Sequence, residues 1–259
     1  YTGMNISVNV GVGFCVAYSA DGLAWTKAGY NPLMIRGREE DFPEVHCARE
    51  VGGYIVNVYE ARHYDRWGVK LAFGRGIPSW GDNLERTGLS LGRSERCILS
   101  LPGSGVRYGA RTATNVLHPH LTTVKMMPAM YFSFGGDIYL SLLSPDFLVP
   151  TNHSLHYTLW YKRALASGIT HYTTSVIGRG FRSVTFRFKA NKNGVVKILD
   201  DPMESLDVGY LMDVVVDSVN YTANSLFQRV IEYPMGMMSL EFTPAADCEA
   251  YAFATCMPR

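Results

Sequence analysis

Ser19-Ala20-Asp21-Gly22-Leu23-Ala24-Trp25-Thr26 lies between an apolar segment, Val10 to Tyr18, and a turn-rich run that ends in Asn31-Pro32-Leu33. Asp21-Gly22 signals a tight turn, because glycine accepts positive φ and an aspartate side chain bonds the backbone two residues on. Trp25 follows the turn by three residues. At that spacing it predicts a large apolar anchor that buries the returning strand between sheets.

The same grammar of short strands and turns continues in both directions. Segments 8–16, 53–59, 68–73, 130–134, 138–143, 155–161, 183–190, 195–199, 210–216 and 226–232 are β-branched or aromatic and bounded by Gly, Pro, Asn or Asp. Asn193-Gly194, flanked by alternating residues on both sides, predicts a hairpin turn. No segment sustains a 3.6-residue period with caps, although the Ala-rich run from Glu249 to Thr255 has the composition of a helical turn. The expected class is all-β.

Composition narrows the possible functions. The chain has 259 residues, 47% of them hydrophobic and 18% charged, with a net charge of +1. Such a chain can bury a sizeable core, and it offers no electrostatic footprint for nucleic acid or a membrane surface. No apolar run reaches the ~20 residues of a membrane span. The five cysteines (Cys15, Cys47, Cys97, Cys248, Cys256) include no C-x-x-C pair, and their odd number prevents complete pairing within one chain. The sequons at Asn5, Asn152 and Asn220, together with Cys248 and Cys256, lean toward a secreted glycoprotein. A start at Tyr1 fits a processed or trimmed chain.

Two halves differ in texture. All four tryptophans (Trp25, Trp67, Trp80, Trp160) precede Ala164-Leu165-Ala166-Ser167-Gly168, a run of small residues that marks a seam. In the first half a unit recurs: Phe42-Pro43-Glu44-Val45-His46 leads into Gly53 to Glu60 and then Gly68 to Phe73. Likewise Leu117-His118-Pro119-His120-Leu121 leads into Ala129 to Phe134 and then Asp137 to Leu142. Repeated units of this kind are read as blades.

On these residues the chain resembles the two-domain glycoside hydrolases of the invertase and arabinanase kind. The matching stretches are Ser19 to Trp25, Gly53 to Ala61, His118-Pro119-His120-Leu121, Ser225 to Glu232, and Phe242 to Cys248. The resemblance implies propeller-like blades over residues 1–165 and a β-sandwich over 166–259. It also implies a carbohydrate substrate and hydrolysis by paired carboxylates, with no cofactor. Such hydrolysis needs one carboxyl as acid and a second as nucleophile or base across the sugar. Glu39-Glu40-Asp41-Phe42-Pro43-Glu44 supplies acids at the start of a blade-like unit, so Asp41 or Glu44 is expected to meet Glu60 or Asp137. His46, Trp67, Trp80, His118 and His120 are candidates for holding the sugar. His118 and His120 have a spacing that metal sites use, but no third ligand is identifiable, so no metal is assigned.

Each candidate has a plainer alternative. Glu39 to Asp41 can be a solvated loop, Glu60 can pair with Arg62 or another arginine, and the tryptophans can be packing anchors. Arg179, Arg182, Arg187 and Lys189, interleaved with Phe181, Phe186 and Phe188, read as the solvent face of an alternating strand rather than a nucleic-acid site.

Two other functions stand beside the hydrolase. Gly180 to Phe188 and Asn224 to Pro234 are similar to strands of the jelly rolls of picorna-like virus capsid subunits, which would make the chain part of an icosahedral shell. A sugar-binding module without catalysis is the third. The sequence leaves the oligomeric state, the sugar and the stereochemical outcome open.

Overall fold

The computed structural model describes residues 2–5, 10–29, 31–34, 44–51, 54–63, 66–75, 90–94, 99–100, 117–124, 127–134, 137–201 and 214–259. Among them there is no α-helix; antiparallel strands dominate, with two short 3-10 turns at Pro145–Leu148 and Pro150–Asn152. The all-β reading holds. The chain divides into two compact units, Tyr1–Phe73 with Arg93–His153, and Gly74–Gly92 with Ser154–Arg259.

The first unit starts with the pair β1 (Thr2–Asn5) and β2 (Val10–Phe14), then the hairpin β3 (Ala17–Tyr18) and β4 (Thr26–Lys27). A meander follows, in the order β5 (Glu44–Val51), β6 (Tyr54–His63) and β7 (Arg66–Arg75). After β8 (Ser90–Ser94), β9 (Leu99–Ser100) adds to β7. A second meander has the same order, β10 (Leu117–Val124), β11 (Met127–Phe134) and β12 (Asp137–Leu142). The two recurring sequence units thus fold as two three-stranded meanders. Strand β6 is buried from Val56 to Glu60, as expected of a strand covered on both faces. Phe14 meets Tyr59 edge to face at 5.2 Å, and the Cys47 thiol approaches the Leu121 carbonyl at 4.0 Å, bringing β5 against β10.

In the second unit two antiparallel sheets lie face to face. One has the order β19 (Phe227–Glu232), β16 (Ser183–Ala190), β21 (Cys248–Met257) and β13 (Leu155–Leu165). The other has the order β14 (His171–Tyr172), β20 (Met237–Pro244), β17 (Gly194–Asp201) and β18 (Val214–Tyr221), with β15 (Val176–Ile177) also on β20. Phe188 of the first sheet touches Tyr221 at 5.0 Å and Phe242 at 4.7 Å in the second. The Tyr221 hydroxyl accepts the Ala190 N–H at 2.9 Å and donates to the Ser225 carbonyl at 2.6 Å, so its burial leaves no polar group unmet.

Two expectations are corrected here. The run from Glu249 to Thr255 is not a helical turn but the middle of β21. Cys248, Ala250, Ala252, Ala254 and Cys256 are buried in strict alternation with more exposed neighbours. Its alanines reflect volume rather than helix propensity, because Ala252 is paired with Trp160 on one side and Phe188 on the other. Small residues between two large ones let the layer close without a void. Cys248 and Cys256 are free thiols on this strand.

Asn193-Gly194 also does not close a hairpin. Strand β16 belongs to one sheet and β17 to the other, so the dipeptide carries the chain across the layers. The Asn193 side-chain oxygen accepts the Ala223 N–H at 2.8 Å, which ties down the crossing. A β-carbon on Gly194 would lie 2.5 Å from the Thr243 carbonyl oxygen and 2.6 Å from the Phe242 ring, so glycine is needed there for close approach. The expected seam at Ala164–Gly168 falls at the end of β13 and the turn after it, where Gly168 has φ of +69°. Arg187 and Lys189 are exposed while Phe186 and Phe188 are buried, as an alternating strand requires.

Phe188→Ala is expected to cost about 3–5 kcal/mol, and Ala252→Leu about 1–3 kcal/mol through overpacking. Both are read as lowered midpoints in urea unfolding, and an unchanged midpoint for Phe188→Ala would contradict this core.

Candidate functional site

Antiparallel pairing gives the first unit its chemical interest. In the register of β5 and β6, Glu44 stands opposite Glu60 and His46 opposite Tyr59, with a shift of register between Glu44 and His46. Glu60 is fully buried. Asn57, on the same strand, is also buried, and its amide oxygen has no hydrogen-bond partner among the described residues. For Glu44 and His46 the structure describes the backbone position alone.

The other candidates lie on other strands or outside the described residues. His120 is exposed on β10, with its Nε2 3.2 Å from the Arg49 Nη2 of β5. His118 lies on the same strand, across a register shift between Leu117 and His120, and Trp67 lies on β7; their side chains are not described. Asp137 is exposed at the start of β12, the strand at the opposite edge of the sheet from β10. Asp41 and Trp80 lie outside the described residues. Of the four acids named from the sequence, Glu44 and Glu60 are therefore the two that pairing brings together. Among the described residues no three His, Cys, Asp or Glu side chains gather as a metal site.

The Asp21-Gly22 hairpin is a second concentration of function-bearing groups. Gly22 has φ of +77°, as the turn requires. The Asp21 Oδ1 accepts N–H groups from Leu23 at 2.8 Å and Ala24 at 2.9 Å and the Ser19 hydroxyl at 3.0 Å. The bonds from Ala24 and Leu23, then that from Ser19, hold the Asp21 carboxyl below its ordinary range.

Trp25 reverses its expected role. It is 64% exposed rather than buried as a sheet anchor, and its indole Nε1 donates to the Gly22 carbonyl at 3.1 Å. The loop is closed by its own hydrogen bonds, so the ring is not needed as an internal anchor. No sequence signal distinguishes such an outward tryptophan from a buried one.

No family model and no curated protein matches the chain. Among solved structures it is similar to the PBSX exported protein XepA, with 13% identity over 48% of this chain and 42% of that one and a TM-score of 0.34. It is similar to a glycoside hydrolase family 43 arabinoxylan arabinofuranohydrolase from Bacillus subtilis, with 11% identity over 91% and 56% and a TM-score of 0.24. A Bombyx mori family 32 beta-fructofuranosidase gives 9% identity over 97% and 75% and a TM-score of 0.26. The chain spans about half the length of the first two. At these values the likenesses establish neither a shared fold nor a shared activity.

Because the loop donors bond the ionised Asp21, their contribution is present above the ordinary aspartate range and is lost as pH falls through the lowered value. The emission of Trp25, taken as the difference between the chain and Trp25→Phe, is expected to hold through mildly acid pH and change in strong acid. In Asp21→Asn that acid transition is expected to be absent; a transition of the same size would show that Asp21 does not control the loop.

Proposed function

We propose that the chain is a carbohydrate-active protein that cleaves glycosidic bonds with Glu60 as acid–base and Glu44 as nucleophile. The observation that supports this is their shared register position on adjacent antiparallel strands, with Glu60 withdrawn from water. Opposed residues in such a pair have β-carbons about 4.5–5.5 Å apart. Retaining glycosidases hold their carboxyls ~5–5.5 Å apart, whereas inverting ones need ~6.5–9.5 Å for a water. Glutamates at opposed positions have side chains long enough to bring their carboxyls to the retaining separation.

In this reading the Glu44 carboxylate attacks the anomeric carbon while the bond to the leaving oxygen breaks. The leaving oxygen keeps that electron pair and takes the proton of Glu60. Glu60, now a carboxylate, removes a proton from water, which displaces Glu44 from the sugar and returns both groups to their starting states. His46, Trp67, Trp80, His118 and His120 hold the sugar, Asp41 and Asp137 are the further acids, and the two meanders are blades of a propeller-like first half. An extracellular setting accompanies this function. The paired acids favour the hydrolase over a sugar-binding module or a capsid subunit.

Glu60→Gln and Glu44→Gln are each expected to lower hydrolysis of a susceptible aryl glycoside by about 10²–10⁴, with the first product keeping the substrate's anomeric configuration by proton NMR. Full activity in both variants would end the assignment. Glycan binding without turnover in the unaltered chain would leave the sugar-binding module.

A further inference from the structure

We propose that the β3–β4 hairpin is a docking site for an acidic sugar, with the ring of a uronate residue stacked on Trp25 and its carboxylate on Lys27. This rests on the carbohydrate reading above and names the class of glycan that the protein takes.

Cys15, Val16, Ala17, Trp25 and Lys27 line a depression of about 470 Å³. That volume is of the order found for small-molecule sites, ~300–1,000 Å³. Lys27 pairs with Ala17 across the hairpin, and Trp25 lies immediately before β4. Trp25 and Lys27 both border one space.

Several polar groups of the described lining are already bonded. The Val16 N–H and C=O are both taken by the Asn31 side chain at 2.8 Å. The Trp25 N–H is taken by Gly22, and the Asp21 carboxylate is turned into its own loop. Among the described residues the depression is lined by apolar side chains, the Trp25 indole and the Lys27 cation, with no acid. A neutral sugar would use the ring alone. A uronate uses both features, its C–H face on the indole and its carboxylate on the ammonium group. The hydrogen bonds of the loop fix the ring before ligand arrives, which lowers the ordering cost of binding.

The test is calorimetric titration of the full chain, and of Glu60→Gln to exclude turnover, with a galacturonate trisaccharide and the matching neutral galactose trisaccharide. The uronate is expected to bind about tenfold tighter, the scale of one exposed charge-assisted contact. Lys27→Gln is expected to erase that preference without changing neutral binding, and Trp25→Ala to remove the hairpin's binding of both, leaving only what the Glu44–Glu60 site holds. Trp25→Tyr, which keeps a stacking face, is expected to retain binding. Equal affinity for the two sugars, or unchanged affinity in Trp25→Ala, would overturn the proposal. Binding that persists in a chain with no hydrolytic activity would uphold the docking site while removing the catalytic assignment, so the two fail separately.

Discussion

Antiparallel register is the constraint on which both units depend. Side chains alternate between faces with a period of two, so a slip of one residue would move every side chain of a strand to the wrong face. In the second unit register sets Ala252 between Trp160 and Phe188, and the small residue makes room for the two large ones. In the first it sets Glu44 against Glu60. The rule that builds the core therefore also brings together two groups that no core would choose to pair.

The strand content was legible because β-branched and aromatic runs between turn residues carry their signal locally. What is not local was misread. Asn193-Gly194 has the composition of a hairpin turn, yet its strands part to different sheets, since the partners of β16 and β17 are chosen by Phe188, Tyr221 and Phe242 across the core. The alanines of β21 looked helical because their neighbours' volumes lie on other strands. Trp25 looked like an anchor because sequence cannot say which side of a hairpin faces solvent. At the site, the acid-rich run before β5 marked a region, and pairing with β6 selected Glu44 within it. His120 and Asp137 stand on strands at opposite edges of one sheet, a separation that only strand order reveals.

The proposed chemistry divides its tasks between elements of different character. Strand β6, covered on both faces, suits a carboxyl that must be kept from water. The β3–β4 hairpin, pinned by Asp21 and Asn31, suits a surface that must be rigid and yet open. Hydrolysis and the capture of an acidic sugar are thus proposed for different strands of the first unit. In the sandwich of the second unit, the charged positions Arg187 and Lys189 of β16 and Glu249 of β21 are exposed.

The central claim is that the acids opposed across β5 and β6 perform the reaction. It is tested most directly by inactivating the protein with a 2-deoxy-2-fluoro glycoside and mapping the attached sugar by mass spectrometry of its peptides. The account predicts a single sugar esterified to Glu44. A label on an acid outside β5 and β6, or on none despite turnover of the parent glycoside, would contradict it.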